Sequence, residues 1–195
     1  MLDTKGFEII LASGSPRRQD FFDKMQIPFT VKVIPVAEDF PEKLNGVEIA
    51  QHIVRQKSEP FIKTILDKQL IITADTIVWH KNQSLGKPKN IKEAKKMLNS
   101  LSNSTHEVIT AVGFLQKSSL EIIYEVSRVT FGHLTELEIE NYVKTQSPLD
   151  KAGGYGIQDL FGLQNIFSIQ GSYSNIIGLP VAQVFKKIKE IISKN

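Results

Sequence analysis

The chain of 195 residues carries 24 Lys and Arg against 21 Asp and Glu, a net charge of +3 spread along its length. That length gives one domain, or two lobes sharing a core, and buries enough apolar surface to need no staples. The absence of cysteine excludes disulfides, a thiolate metal site and a cysteine nucleophile, and fits a reducing cytoplasm. No apolar run is long enough for a membrane span, and the dispersed charge lacks the dense basic block of a nucleic-acid binder.

In chain order, residues 8–12 form an apolar run that predicts a buried strand. Ser15 and Pro16 then match a helix N-cap and the first helical position, and Phe21, Phe22 and Met25 give that helix one apolar face. A strand-to-helix turn of this kind aims free N–H groups at one point, with Ser13, Arg17 and Arg18 beside it. The helix dipole, the N–H groups and the guanidiniums all favour a phosphate there. The same Ser-Pro start also opens many ordinary helices, so these residues alone leave both readings open.

Residues 28–35 alternate as a short strand, and 36–45 form a loop with the acidic residues Glu38, Asp39 and Glu42. Val47, Ala50, Ile53, Val54, Phe61, Ile65 and Leu66 mark a helical stripe that Pro60 interrupts or kinks. Lys57 lies at the edge of that stripe, where a solvated lysine is the ordinary reading. Residues 70–79 predict a second buried strand with Asp75 near its middle. A carboxylate there is costly unless it is paired, hydrogen-bonded or holding a cation. Asp75 is therefore read as a metal ligand or general base, against the alternative of capping a bulge or turn.

A polar turn at 81–84 precedes Gly86-Lys87-Pro88, which lacks the glycine-rich run and following Ser/Thr of a P-loop. Asn90 and Glu93 have capping-box spacing ahead of a helix bearing Ile91, Ala94, Leu98 and Leu101. Residues 105–116 and 120–133 predict a hairpin through a turn at 117–119, and Thr135 with Glu138 opens another capped helix through Tyr142. In 150–158, Gly153, Gly154 and Gly156 allow either close approach of backbone to a ligand or a flexible surface loop. Asp150, Lys151 and Gln158 are the polar groups around them. A strand at 165–170, a turn-rich return at 171–180 and a helix at 181–193 complete the chain. Val184, Phe185, Ile188, Ile191 and Ile192 make the packing face of that helix and its lysines a solvated one, with membrane-surface binding the lesser alternative. His52, His80, His106 and His133 show no zinc-like spacing.

The charged residues sort into a cationic set, Arg17, Arg18, Lys57 and Lys87, and an anionic set, Glu38, Asp75 and Asp150. A nucleoside triphosphate site needs both. Cations and a helix start hold the phosphates, and carboxylates hold a divalent metal such as Mg²⁺ or Mn²⁺.

The motifs Ser13-Gly14-Ser15-Pro16-Arg17-Arg18, Ala74-Asp75-Thr76, Gly86-Lys87-Pro88 and Thr105-His106-x-Val108-x-Thr110 occur in that order. They are followed by residues 150–158 and by Asn175-x-x-Gly178-Leu179-Pro180. With these motifs the chain resembles, over nearly its whole length, the Maf family of nucleoside triphosphate pyrophosphatases. The resemblance implies one domain over 1–195 with an α/β fold like that of inosine triphosphatase. Its parts would be a central mixed, strongly bent sheet, flanking helices and two lobes around a deep groove. It implies hydrolysis between the α- and β-phosphates, giving a nucleoside monophosphate and pyrophosphate with a divalent metal.

By the same resemblance Asp75 matches the catalytic carboxylate, and Arg17, Thr76 and Gln158 match the positions that separate subfamilies. Arg, Thr and Gln there are similar to the branch acting on dTTP, UTP and modified pyrimidine triphosphates, which implies a house-cleaning role in the cytoplasm. Ser13, Ser15, Arg18, Lys57 and Lys87 match phosphate- and groove-binding positions, and Glu38 joins Asp75 as a metal-ligand candidate. Gln158 can offer both a donor and an acceptor to a uracil or thymine edge. The thymine methyl is worth only ~1 kcal/mol, so dTTP and UTP should be poorly distinguished. The chain departs from the family pattern at Asn103, where Gly is usual. After Gln158 it reads Asp159-Leu160-Phe161-Gly162 in place of Gly-x-Gly-Ala, with a short insertion before Gly171. The expected partner is the triphosphate, with no stable nucleic-acid partner and no membrane, and a homodimer is compatible. The rival reading is a non-catalytic nucleotide- or nucleic-acid-binding regulator linked to cell division, which hydrolysis of a triphosphate separates from the enzyme.

Overall fold

The computed structural model describes residues 2–117 and 119–194. The apolar runs become strands and the periodic stripes become helices. In chain order these are β1 (Glu8–Leu11), α1 (Pro16–Lys24), β2 (Thr30–Val31), α2 (Gly46–Ile62), β3 (Gln69–His80), β4 (Gln83–Leu85) and α3 (Ile91–Leu101). There follow β5 (Thr105–Gln116), β6 (Ser119–Phe131), α4 (Glu136–Lys144), α5 (Leu160–Asn165), β7 (Ile166–Gln170), α6 (Tyr173–Ile177) and α7 (Val181–Lys194). Two short 3-10 turns, Ser147–Asp150 and Ala152–Gly154, lie between α4 and α5. Strand order is β2-β1-β3-β5-β6-β7, with β4 beside β3. β1 runs parallel to β2 and β3, while β4 is antiparallel to β3 and β7 to β6, so the sheet is mixed.

The chain forms two compact units, one of residues 1–75, 110–125 and 178–195, the other of 76–109 and 126–177. In the first unit, Ile9, Leu11, Leu70, Ile72 and Ala74 point into a core completed by Phe22, Phe114 and the Val184, Ile188, Ile191 and Ile192 stripe of α7. The alternate residues Ile10, Ala12 and Ile71 pack on the opposite face with Phe61 and Ile65. Burial on both faces is why residues 9–12 and 70–72 read as apolar runs without a polar alternation. In the second unit, Ala94, Leu98 and Leu101 of α3 and Ile139, Tyr142 and Val143 of α4 share a core with Val129, Phe131, Tyr155 and Phe161.

Local signals account for most helix starts. Thr135 and Glu138 form a complete capping box, and so do Asn45 and Glu48 at the start of α2. Asn90 accepts from the Glu93 N–H at 2.9 Å, but the Glu93 carboxylate turns to the Lys89 N–H at 2.7 Å and the box is left half made. Ser15 takes the N-cap position with Pro16 behind it, yet its hydroxyl makes no capping bond.

Several expected boundaries move. Of the expected 28–35 strand, Thr30 and Val31 pair with Ile10 and Leu11 of β1, and the Lys32 N–H still donates to the Leu11 carbonyl at 3.2 Å. Pro60 does not interrupt α2; it lies in the last turn, where its missing N–H removes one bond, and the helix runs on to Ile62. Leu66, expected in the same stripe, is beyond that end and exposed. The turn expected at 81–84 is a tight one: Lys81 and Asn82 both have positive φ, and Gln83 already pairs with His80. The expected 117–119 turn is described only at Lys117 and Ser119; Ser118 lies outside the described residues. α5 occupies 160–165, taking Asn165 from the start of the expected 165–170 strand, and no element was expected at 160–164.

Candidate functional site

The turn after β1 is built around Arg18. This side chain is buried, donating from Nε to the Gly178 carbonyl at 2.9 Å and from Nη1 to the Ala74 carbonyl and Ser13 Oγ, each at 3.0 Å. Ser13 Oγ also accepts from the Ser15 N–H at 3.4 Å, closing the turn onto itself. Arg18 thus ties the segment before α7, the middle of β3 and the first turn into one piece. Arg17, its neighbour, is only half-buried.

Asp75 is buried on β3 one residue beyond Ala74. Burial pushes its carboxyl above the usual carboxylate range, and Lys57 and Arg18 pull it part of the way back. Lys57 Nζ sits 2.7 Å from Asp75 Oδ1 and 3.0 Å from Glu38 Oε1, with Glu38 largely in solvent. The Arg18 guanidinium is lowered by its own burial, which the charge of Asp75 opposes. The result is a buried anion between two cations, carrying one exposed carboxylate on its rim.

Helix α2 delivers Lys57. Val54, Lys57, Ser58 and Phe61 lie on one helical face, and that face meets β3. Ser58 Oγ lies 2.8 Å from both the Val54 carbonyl and Thr73 Oγ1. Gly113 on β5 allows this approach: a Cβ there would fall 2.6 Å from Thr73 Oγ1 and 2.7 Å from Val54 Cγ1. Sequence reasoning treated Lys57 as a helix-edge lysine on its own residues. The signal that could have moved it inward was Ser58, a polar residue in the middle of an apolar stripe.

In the second unit, the Gly86-Lys87-Pro88 and 150–158 stretches meet. The Gly153 N–H donates to the Gly86 carbonyl at 3.1 Å, and Gly153 has φ +71° and would set a Cβ 3.0 Å from Val78 Cγ2, so a side chain there is disfavoured on both counts. Lys87 is exposed beside this contact, Thr76 is half-buried on β3, and Gln158 is exposed while Tyr155, Gly156 and Ile157 before it are buried. The glycine-rich stretch is therefore packed rather than a loose loop. Lys151 donates to Ser147 and Asp150, each at 2.8 Å.

His80 and His106, far apart in sequence, come within 6.5 Å ring to ring. His106 Nε2 lies 2.6 Å from the Tyr155 hydroxyl, and burial pushes the imidazole down to about 3, so it is neutral. This pair anchors the glycine-rich stretch to β5.

No group of three His, Cys, Asp or Glu side chains placed to hold a metal occurs among the described residues. Glu38 and Asp75, spanned by Lys57 Nζ, offer two carboxylates. Two suffice for Mg²⁺, which completes its shell with water and substrate phosphates, so the residues fit a cation that enters with a triphosphate. No helix among the described residues is long and apolar enough to cross a membrane.

A family model described as Maf-like protein matches residues 8–191. The chain is 49% identical over 189 residues to a dTTP/UTP pyrophosphatase of Christiangramia forsetii, covering 97% of this chain and 96% of the relative. It is 42% identical over 188 residues to a dTTP/UTP pyrophosphatase of Flavobacterium johnsoniae, covering 96% and 97%. Among solved structures, a HAM1 protein from Coxiella burnetii aligns with a TM-score of 0.50 over 97% of this chain and 100% of that one. At 14% identity that is a likeness of fold alone.

Proposed function

Because the chain belongs to the family of Maf-like proteins, we propose that it is a nucleoside triphosphate pyrophosphatase hydrolysing dTTP and UTP to the monophosphate and pyrophosphate. The observation that carries this reading is the buried carboxylate of Asp75, held 2.7 Å from Lys57 Nζ and in the field of Arg18. A protein that only bound phosphate would weaken its site by burying an anion among the cations. A hydrolase gains a base. The substrate is supported by the relatives, named dTTP/UTP pyrophosphatases at 42–49% identity over nearly full length.

In this reaction a water attacks the α-phosphorus, the bond from that phosphorus to the α–β bridging oxygen breaks, and pyrophosphate leaves with that oxygen. Asp75 would take the water's proton, and its burial makes it a stronger base than a solvated carboxylate. Lys57 would hold Asp75 in place and set positive charge against the oxygens that gain charge in the transition state. The N–H groups at the start of α1, with Ser13, Ser15, Arg17 and Lys87, would take phosphates. Arg18, with Nε and Nη1 bonded to two carbonyls and Ser13, would hold the turn in shape. Gln158 would read the base, with Arg17 and Thr76 as further selectivity positions. Glu38 and Asp75 would hold a divalent cation, which when bound polarises a phosphoryl oxygen and acidifies the attacking water. The same chemistry would serve a house-cleaning role on modified pyrimidine triphosphates in the cytoplasm.

Incubation of dTTP or UTP with the protein and Mg²⁺ should release pyrophosphate, and a chelator should stop it. Asp75→Asn should lower kcat by about 10²–10⁴, the usual worth of a general base, while nucleotide still binds. Orthophosphate as the product, or full turnover by Asp75→Asn, would overturn the proposal.

A further inference from the structure

Asp159 stands directly after Gln158. Its carboxylate is built into a closed network. Oδ2 accepts from the Tyr142 hydroxyl at 2.5 Å and from the Ser147 hydroxyl at 2.9 Å, with Lys151 Nζ 3.6 Å away. The Tyr142 oxygen in turn accepts from the Gly156 N–H at 3.1 Å, and the Asp159 N–H donates to the Gly156 carbonyl at 3.2 Å. The residues on both sides of the 157–158 pair are thus joined to each other and to α4. Burial and the Asp159 carboxylate push the Tyr142 phenol well above its ordinary range, so it remains a donor. Its ring is stacked on Phe161 at 4.2 Å between centroids, which fixes where the hydroxyl points.

The fit leaves no slack. A Cβ on Gly156 would lie 2.7 Å from the Asp159 carboxylate, and one on Gly162 would run into the Gly156 carbonyl. Residues 153–157 are buried, and Gln158 projects from this frame into solvent. A stretch with Gly153, Gly154 and Gly156 would otherwise have wide conformational freedom. Base discrimination by a single amide needs that freedom removed, since misplacement of a contact by a fraction of an ångström weakens it.

We propose that Asp159, acting through Tyr142 and Ser147, is a positioning residue that fixes Gln158 for recognition of the pyrimidine base. The inference rests on the reading of Gln158 as the base-reading side chain. Two hydroxyls converge on the Asp159 carboxylate, and the Tyr142 oxygen that donates one of these bonds also accepts from the Gly156 N–H across the turn.

The test is steady-state kinetics with dTTP, UTP and dGTP on the wild type and on Asp159→Ala, Asp159→Asn, Tyr142→Phe and Gln158→Ala. Asp159→Ala and Tyr142→Phe should raise KM for dTTP and UTP about tenfold relative to dGTP, the loss falling on KM more than on kcat. Asp159→Asn, whose amide oxygen can accept from both hydroxyls, should recover most of the preference. Asp159→Ala added to Gln158→Ala should cost nothing more, because the two act through one contact. Should Asp159→Ala not fold, Ser147→Ala removes one of the two donors and should show the same shift at about threefold. If Gln158→Ala collapses the preference while the Asp159 and Tyr142 variants keep it, the positioning role is overturned and the Gln158 reading stands. If KM rises equally for all three nucleotides, the network only stiffens the loop and the inference fails. If Gln158→Ala leaves the preference intact, the specificity reading falls, and the inference with it.

Discussion

Replacing Gly113 with alanine tests whether the closeness of α2 to the sheet is what places Lys57. The new Cβ would lie 2.6 Å from Thr73 Oγ1, 2.7 Å from Val54 Cγ1 and 3.2 Å from Leu120 Cδ1. Comfortable contact begins near 3.5 Å, so helix and strand must separate by about 0.8 Å or the neighbours must change rotamer. They have little room to do so. Thr73 Oγ1 is bonded to Ser58 at 2.8 Å, and Val54 is fully buried. Overpacking of this kind costs about 1–3 kcal/mol. In a chain of this length that lowers Tm by about 2–4 °C per kcal/mol. Lys57 lies one turn beyond Val54 on the same face, so the shift also draws its ammonium from Asp75 Oδ1, now at 2.7 Å. A misplacement of about 1 Å at a reacting group can cost about 10²-fold. Urea denaturation and pyrophosphate release, measured on the same Gly113→Ala sample, should show a modest stability loss and a kcat loss of one to two orders of magnitude. A variant that melts lower but keeps wild-type kcat would refute the link between helix approach and the Lys57–Asp75 pair. Wild-type stability would refute the packing argument itself.

Lys57→Ala should lower kcat and also shift the acidic limb of the pH–rate profile. Lys57 lowers the pKa of Asp75 against the effect of burial, so without it the carboxylate protonates at higher pH and activity falls away sooner on acidification; an unmoved limb counts against Asp75 as the base. His106→Gln should make the fold less sensitive to acid. The imidazole titrates near 6.5 unfolded and about 3 folded, so its contribution to stability is complete above about pH 6.5 and declines as pH falls toward 3. Over that window the wild type should lose up to about 1.4 kcal/mol per pH unit more than the variant, as read by denaturation at a series of pH values.

What could be read from the sequence was what neighbouring residues decide among themselves. Ser15-Pro16 sets the start of α1, Thr135 and Glu138 cap α4, and Val184, Ile188, Ile191 and Ile192 fix the buried face of α7. Each depends on spacings of one to four residues, or on one repeated at that period. Asp75 was legible because a carboxylate in a buried strand is conspicuous wherever the strand goes.

Its pairing with Lys57 was not legible. Lys57 reaches it only because Gly113, on another strand, lets α2 settle against β3. Arg18 looked like a second phosphate clamp beside Arg17. Its acceptors, the carbonyls of Gly178 and Ala74, lie 160 and 56 residues away, and nothing in the local pattern announces which carbonyls a fold will bring. Asp159 was visible only as a departure; Tyr142 and Ser147 gave it a purpose once α4 and the turn after it had packed. By itself, the sequence determined most of the elements, the chemistry available and the family resemblance, because periodicity, capping and motif order are properties of the chain. Tertiary structure alone decided which charges are buried together and which are spent on the backbone. Burial and pairing are relations between segments that meet only when the core closes, and they set whether a carboxylate is a base or a surface charge.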